Sequence, residues 1–349
     1  MSGIVRFVLI ALAAVGVGGG HLSATPAPYV GVGGNHLVNE SGRPVRLLGV
    51  NRSSGEYRCV QGYGIFEGPT DEASIAAIRS WGANAVRLPL NESCWLGIDG
   101  VPEEFSGAAY RTAVYEYAER LQQAGLYVIL TLQFASPGEE PATEIIPMAD
   151  AAHGPAFWTS VARTFRGDHG VLFDLYSEPH EISWECWRSG CIATTKKGTE
   201  YEAVGMGALI RAVRATGARQ PLLLSGINYA HELTEWESHL PPDPRNAEVA
   251  SLHTYDFAPC LETCRAGLAE LAERHPVVTA ELGETDCTHD YIDEYMAWAD
   301  EHGVSYLGWA WNAGHGWTCN HGPALIRNYD GAPTPYGAGL KTHLQALRR

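Results

Sequence analysis

The chain has no basic run anywhere in its 349 residues, and its 24 lysine and arginine side chains face 40 aspartates and glutamates. A formal charge of −16 works against nucleic acid or an anionic membrane surface as a partner, since both are bound through clustered basic groups. Neutral or cationic ligands fit better. Also missing is an uninterrupted apolar stretch of the roughly 20 residues that a membrane-spanning helix needs. The nearest approach, Phe7 to Val17, follows Arg6 and leads into Gly18, Gly19 and Gly20, then the small residues between Ser23 and Pro28. That layout is the layout of a secretory signal peptide. We expect residues 1–27 to be a leader, cut after Ala24 or Ala27, and the rest to be secreted without stable membrane association, with an uncleaved anchor as the alternative.

Zinc-type cysteine spacing is absent as well. Cys186 and Cys191 enclose four residues and Cys260 and Cys264 enclose three, so no pair shows the two-residue gap of a zinc site. Eight cysteines in an exported chain therefore read as disulfides, and no metal or organic cofactor is expected.

No internal repeat is visible, but from Arg46 onward short apolar runs alternate with amphipathic stretches, the pattern of parallel strands with helical crossovers. The expected strands are Arg46–Asn51, Asn84–Leu90, Tyr127–Gln133, Val171–Tyr176, Pro221–Gly226, Val249–Tyr255, Pro276–Glu281 and Ser305–Trp311. Expected helices include Asp71–Trp81 behind a Thr70 cap, Tyr110–Ala124, Phe157–Phe165, Tyr201–Thr216, Glu232–His239, Glu262–Arg274, Tyr291–His302 and Tyr336–Leu347. Several end where Gly125, Gly217 or Gly303 can adopt a left-handed cap. Eight strands and eight helices predict a closed (β/α)8 barrel over residues 28–349, one catalytic domain, with an open doubly wound sheet as the alternative. Ahead of it, His36–Val38 and Val45–Leu48 flank a turn-like Asn39 to Pro44 segment, predicting a short β-hairpin that caps the barrel bottom.

Every cysteine falls in a loop that follows a strand, the side on which barrel enzymes carry their chemistry. We expect Cys186–Cys191 and Cys260–Cys264 within single loops, and Cys59–Cys94 and Cys287–Cys319 between neighbouring ones, stiffening that rim.

Carboxylates at the ends of apolar strands are costly to bury and so draw notice. Glu178 follows Val171-Leu-Phe-Asp-Leu-Tyr176, and Glu281 closes Pro276-Val-Val-Thr-Ala-Glu281. Two such groups across a barrel mouth suit glycosidic hydrolysis, one protonating the leaving oxygen and the other attacking the anomeric carbon or activating water. A separation of about 5 Å gives retention, and roughly 6.5 to 9.5 Å gives inversion. Glu284, outside the strand, is the backup. Arg87, ending another apolar run, can hold a carboxylate ionised. Trp311 is a candidate sugar-stacking face, and Trp309, opposite it by strand alternation, is expected to pack. Trp95, Trp184, Trp187, Trp236 and Trp317 are rim candidates or ordinary packing. Asn51, Glu56 and Asn91 are unranked.

Taken in order, several segments resemble glycoside hydrolase family 5, the cellulase family. Asn35 to Asn51 is similar to its opening hairpin and first strand, Asn84-Ala-Val-Arg-Leu-Pro89 to its second strand with the active-site arginine Arg87, and Tyr176-Ser-Glu-Pro179 to its acid/base motif. His253-Thr-Tyr255 resembles its His-x-Tyr strand, Thr279-Ala-Glu-Leu-Gly283 its nucleophile strand, and Trp309-Ala-Trp311 its last strand. The resemblance implies a retaining β-glycosidase with Glu178 as acid/base and Glu281 as nucleophile. It further implies that Tyr255 bonds Glu281, and that His253 contacts the sugar or orders a carboxylate. Two positions depart from the pattern. Ser177 stands where the family usually has an asparagine that meets the sugar 2-hydroxyl, and Gln133 stands where many members have histidine.

The expected substrate is a β-linked oligo- or polysaccharide, foremost a β-1,4-glucan. β-Mannan, other β-glucans and glycolipids suit the same site. A non-catalytic sugar-binding barrel and a disulfide-rimmed scaffold are the rival classes.

Overall fold

A computed structural model describes residues 28–314 and 316–348; the expected leader lies outside them. Eight parallel strands close into a barrel. In chain order they are β1 (Leu48–Asn51), β2 (Ala85–Asn91), β3 (Tyr127–Phe134), β4 (Val171–Asp174), β5 (Leu222–Ser225), β6 (Glu248–Tyr255), β7 (Val277–Gly283) and β8 (Ser305–Gly308). Each falls within a run expected from the sequence or overlaps it. Both faces of such strands are covered, one by the barrel interior and one by helices, which is why they read as nearly continuous apolar runs.

Alternation along the strands sorts the core into two clusters. Ala85, Ile129, Leu172, Leu223, Val249, Val278 and Leu307 meet inside the lower barrel. Their neighbours Val86, Val128, Leu130, Phe173, Leu222 and Ala250 face outward, packing with helix residues such as Trp158, Val161 and Ile210. A three-stranded antiparallel sheet (Gly31–Gly33, His36–Val38, Pro44–Val45) precedes the barrel. Val30 and Leu37 belong to the interior cluster, so this sheet closes the barrel's lower end, as expected of a hairpin there.

The helices differ from expectation at three points. The first, Glu72–Ser80, is capped by Asp71, whose carboxylate accepts from the Ser74 amide, not by Thr70. Tyr201–Val204 is not helical; it belongs to a strand, Glu200–Val204, paired with Gly190–Thr194 in a hairpin, and the helix starts only at Met206. Only Trp236–His239 of the expected Glu232–His239 helix forms.

All four expected cysteine pairs are disulfides: Cys59–Cys94, Cys186–Cys191, Cys260–Cys264 and Cys287–Cys319. The first ties the loop after β1 to that after β2, and the last ties the loops after β7 and β8. Among the described residues no helix is long and apolar enough to cross a membrane.

Candidate active site

Two residues above the interior hydrocarbon, the inward positions become polar. Arg87 on β2 is fully buried and reaches across the barrel to five acceptors. Its Nε donates to Asp174 Oδ2 (2.9 Å), Nη1 to Asn51 Oδ1 (3.0 Å) and Glu281 Oε1 (2.7 Å), and Nη2 to Ser177 Oγ (2.8 Å) and Thr131 Oγ1 (3.2 Å). A guanidinium is suited to this place because its planar fork can serve several acceptors while staying charged. Burial disfavours the Arg87 cation, but Asp174 and Glu281 outweigh that and raise its pKa.

Glu281 is held from both sides. Tyr255 donates its hydroxyl to Oε2 at 2.6 Å while Arg87 occupies Oε1. Burial opposes its charge, yet His253, Arg87 and the Tyr255 hydrogen bond together depress its pKa. The chain brings His253 level with Glu281 through a register shift. Leu252 lies opposite Thr279, and His253 lies opposite Glu281, so Ala280 is passed over as in a β-bulge.

Glu178, in the loop after β4, lies across from Glu281. His253 Nδ1 stands 2.9 Å from Glu178 Oε1 and 3.5 Å from Glu281 Oε2. One oxygen from each glutamate and a ring nitrogen of His253 all lie within 4.8 Å of one another. Such a triad also has metal-ligand spacing. Donors already fill both Glu281 oxygens, an arrangement that keeps a carboxylate ionised without an ion. A third carboxyl, Glu56, is buried in the β1 loop. Burial first, with the Glu281 charge adding to it, pushes its pKa up to about 8, so it is neutral in the folded protein at pH 7.

Residues 38–315 match the family model described as cellulase (glycosyl hydrolase family 5). The chain belongs to this family. Endoglucanase E-5 of Thermobifida fusca is 24% identical over 172 residues, which is 48% of this chain and 32% of that protein. Endoglucanase MaCel5A of a Microbulbifer species is 23% identical over 152 residues, 44% of this chain and 26% of that one. The matches thus span about a third or less of those relatives. Among solved structures, a β-glucanase of Saccharophagus degradans in complex with cellotetraose superposes with a TM-score of 0.70. It is 17% identical, with 93% of this chain and 95% of that one covered. The catalytic domain of Thermobifida fusca endoglucanase Cel5A gives 0.65 at 18% identity, covering 91% and 97%. At these identities the likeness is one of fold.

Within this glycosyl hydrolase family 5 site, Glu178, Glu281, Arg87, His253, Tyr255, Ser177 and Asn51 come together, and Gln133 lies buried on β3 above Thr131. Asn51 and Ser177 are fully buried supports. Asn51 donates to the Ala280 carbonyl (2.8 Å) while accepting from Arg87, and Ser177 Oγ serves Arg87. Trp311 is a correction. It is fully buried and packs edge-on against Trp81 with ring centroids 4.8 Å apart, so it offers no face to a sugar. Trp309 keeps partial exposure and lies 6.5 Å from Trp317. The expected alternation fails because β8 ends at Gly308, and beyond a strand's end its period no longer sets direction. Trp95, Trp187 and Trp236 are fully buried packing residues. Glu284 accepts from Thr288 Oγ1 and the Ile292 amide, fixing the start of the following helix. Asn91 likewise caps a short helix through the Cys94 amide.

Asp174 was missed, although its carboxylate in the middle of the apolar β4 run was a signal of the kind that singled out Glu178. His231, whose Nδ1 meets the His253 carbonyl at 2.8 Å, had no such signal.

Proposed function

We propose that this chain is a retaining glycoside hydrolase that cleaves β-1,4-glucan by double displacement. The carrying observation is the carboxylate pair, Glu178 and Glu281, with oxygens within 4.8 Å. Such proximity suits direct attack by one carboxylate better than attack by a water held between the two.

Glu281 is the nucleophile: ionised, oriented by Arg87 and Tyr255, it forms a bond to the anomeric carbon as the glycosidic C–O bond breaks. Glu178 gives its proton to the departing oxygen. It then takes one from water, whose oxygen displaces Glu281 and restores the first configuration. His253, beside both oxygens, positions the pair. At this site, His253 Nε2 and Gln133 Oε1 are among the buried polar atoms with no hydrogen-bond partner among the described residues. Buried polar groups are normally satisfied, and sugar hydroxyls are the partners this reading supplies. Partly exposed Trp309 is the stacking face in place of Trp311.

β-Glucan is favoured by the names of the relatives, which are endoglucanases, and by the cellotetraose bound in one fold neighbour. Export is favoured by four disulfides and by the apolar leader sequence.

The test is reducing-sugar release from a panel of β-glucans and β-mannans, with Glu281→Gln as control and the anomer of the first product read by proton NMR. Release of β-anomer from β-1,4-glucan, abolished in the variant, is expected. Release of α-anomer would overturn retention, and turnover only on mannan would overturn the substrate.

A further inference from the structure

Away from the catalytic pair, Glu92, Asp150 and His153 form a second cluster of ionisable groups. Glu92 opens the short helix Glu92–Leu96 after β2, and Asp150 and His153 lie just ahead of the helix Gly154–Phe165 that follows β3. One carboxylate oxygen from each acid and a ring nitrogen of His153 lie within 4.8 Å of one another. The acids are buried, Glu92 at 0% and Asp150 at 2% exposure. Among the described residues neither forms an ion pair with lysine or arginine; the ion-pair distance found is His153 Nδ1 to Asp150 Oδ1, 3.4 Å.

Half of each carboxylate is accounted for. Glu92 Oε2 accepts from the Ser136 amide (3.2 Å), and Asp150 Oδ1 accepts from the amides of Ala152 (3.0 Å) and His153 (2.8 Å). The other halves, Glu92 Oε1 and Asp150 Oδ2, are buried with no hydrogen-bond donor among the described residues. Two buried carboxylates side by side are expensive unless something positive lies between them. Burial, and then the charge of Asp150, pushes the Glu92 pKa well above the ordinary carboxylate range. Either the two acids share one proton, or a cation replaces it.

We propose that Glu92, Asp150 and His153 bind a divalent transition-metal ion of the zinc class. Two carboxylate oxygens and one imidazole nitrogen leave a position for water, a set that suits Zn²⁺ or Mn²⁺; Ca²⁺ and Mg²⁺ prefer oxygen alone. The side chain of His153 is 23% exposed and gives the ion a way in. Once bound, the ion staples the loop after β2 to the loop after β3. Glu92 already holds Ser136 there, close in sequence to Gln133 at the candidate sugar site. Asp150 also bridges to Ala203 in the Gly190–Val204 hairpin, so a third loop joins the staple. The role is structural, and binding does not depend on the hydrolytic reading.

The experiment uses full-length mature protein stripped with EDTA, then given Zn²⁺, Mn²⁺, Ca²⁺ or Mg²⁺ singly, with Tm and bound ion per chain measured. One equivalent of Zn²⁺ or Mn²⁺ bound, with a Tm rise of several degrees, is expected. Co²⁺ should bind the same site and give visible d–d absorption. His153→Ala, at a partly exposed position, should fold yet lose the absorption and at least tenfold in ion affinity, and Asp150→Asn should do the same if it folds. An unchanged Tm with no stoichiometric ion would overturn the proposal in favour of a shared proton. Stabilisation by Ca²⁺ alone, or unaltered Co²⁺ binding in His153→Ala, would overturn it too.

Discussion

At the lower end of the barrel, Ile129, Leu172, Leu223, Val249 and Val278 fill the interior with hydrocarbon. Two residues further along the same strands, Thr131, Asp174, Ser225, Ser251 and, past the bulge, Glu281 fill it with hydrogen bonds, joined by Arg87. The lower end is stable by burial alone, tolerates change of shape, and asks nothing of geometry beyond volume. The upper end is stable only as a complete network, because each buried charge left without a partner costs several kcal/mol. Four disulfides lie on the loops of the upper side; the lower side is closed by the apolar contact of Val30 and Leu37. The difference separates what holds the barrel together from what it holds in place.

Substitutions should therefore divide by height in the barrel. The largest effect is expected for Glu281→Gln, which should lower kcat on β-1,4-glucan by about 10⁴-fold or more while the far-ultraviolet circular dichroism stays unchanged. Arg87→Met should strike both properties. It strands Asp174 and Glu281, so urea unfolding should report a loss of about 3–5 kcal/mol, with turnover falling alongside. A variant as stable as the parent would mean that the upper network does not need to be complete to be stable. Leu37→Ala, at the bottom, should cost about 2–4 kcal/mol of stability yet leave kcat and KM at 25 °C as they were. If kcat drops as well, the two ends are coupled.

Glu56 sharpens the comparison through pH. Its folded pKa of about 8 is above the unfolded value of 4.5, so the neutral acid is what the fold favours. Its contribution is fully present below pH 4.5 and fades as pH rises toward 8, at up to about 1.4 kcal/mol per pH unit. Glu56→Gln should flatten that part of the stability profile, which denaturant titrations at pH 5, 6.5 and 8 would reveal. The smallest effect is expected for Ser177→Ala, which removes one acceptor from Arg87 and should cost about 1 kcal/mol in unfolding experiments.

Much of this was legible in the residues. The strands could be read because a buried parallel strand must be apolar on both faces, and Glu178 and Glu281 stood out against those runs. The cysteine pairs followed from placing each one in a loop beside its neighbour. The hairpin at Glu200–Val204 was less legible, though its exposed and buried residues alternate, because it runs directly into the helix from Met206 and was absorbed by that period. Trp311 was read as the open face because alternation was carried past the end of β8, where the structure buries Trp311 and leaves Trp309 partly exposed. Ser177 stood out only as a departure from the family pattern, and its bond to Arg87, a partner 90 residues away in sequence, had no local signal.

The order of strands, the barrel, the rim cysteines and the two glutamates were determined by the sequence itself, because each rests on local period or on a charge where hydrocarbon is expected. Tertiary structure alone decided the approach of the glutamates to within 4.8 Å, the convergence on Arg87, the passed-over Ala280 that sets His253 beside Glu281, and the meeting of Glu92 with Asp150 and His153. These depend on how closing the barrel brings distant segments to one point, and no local pattern along the chain encodes a distance across it.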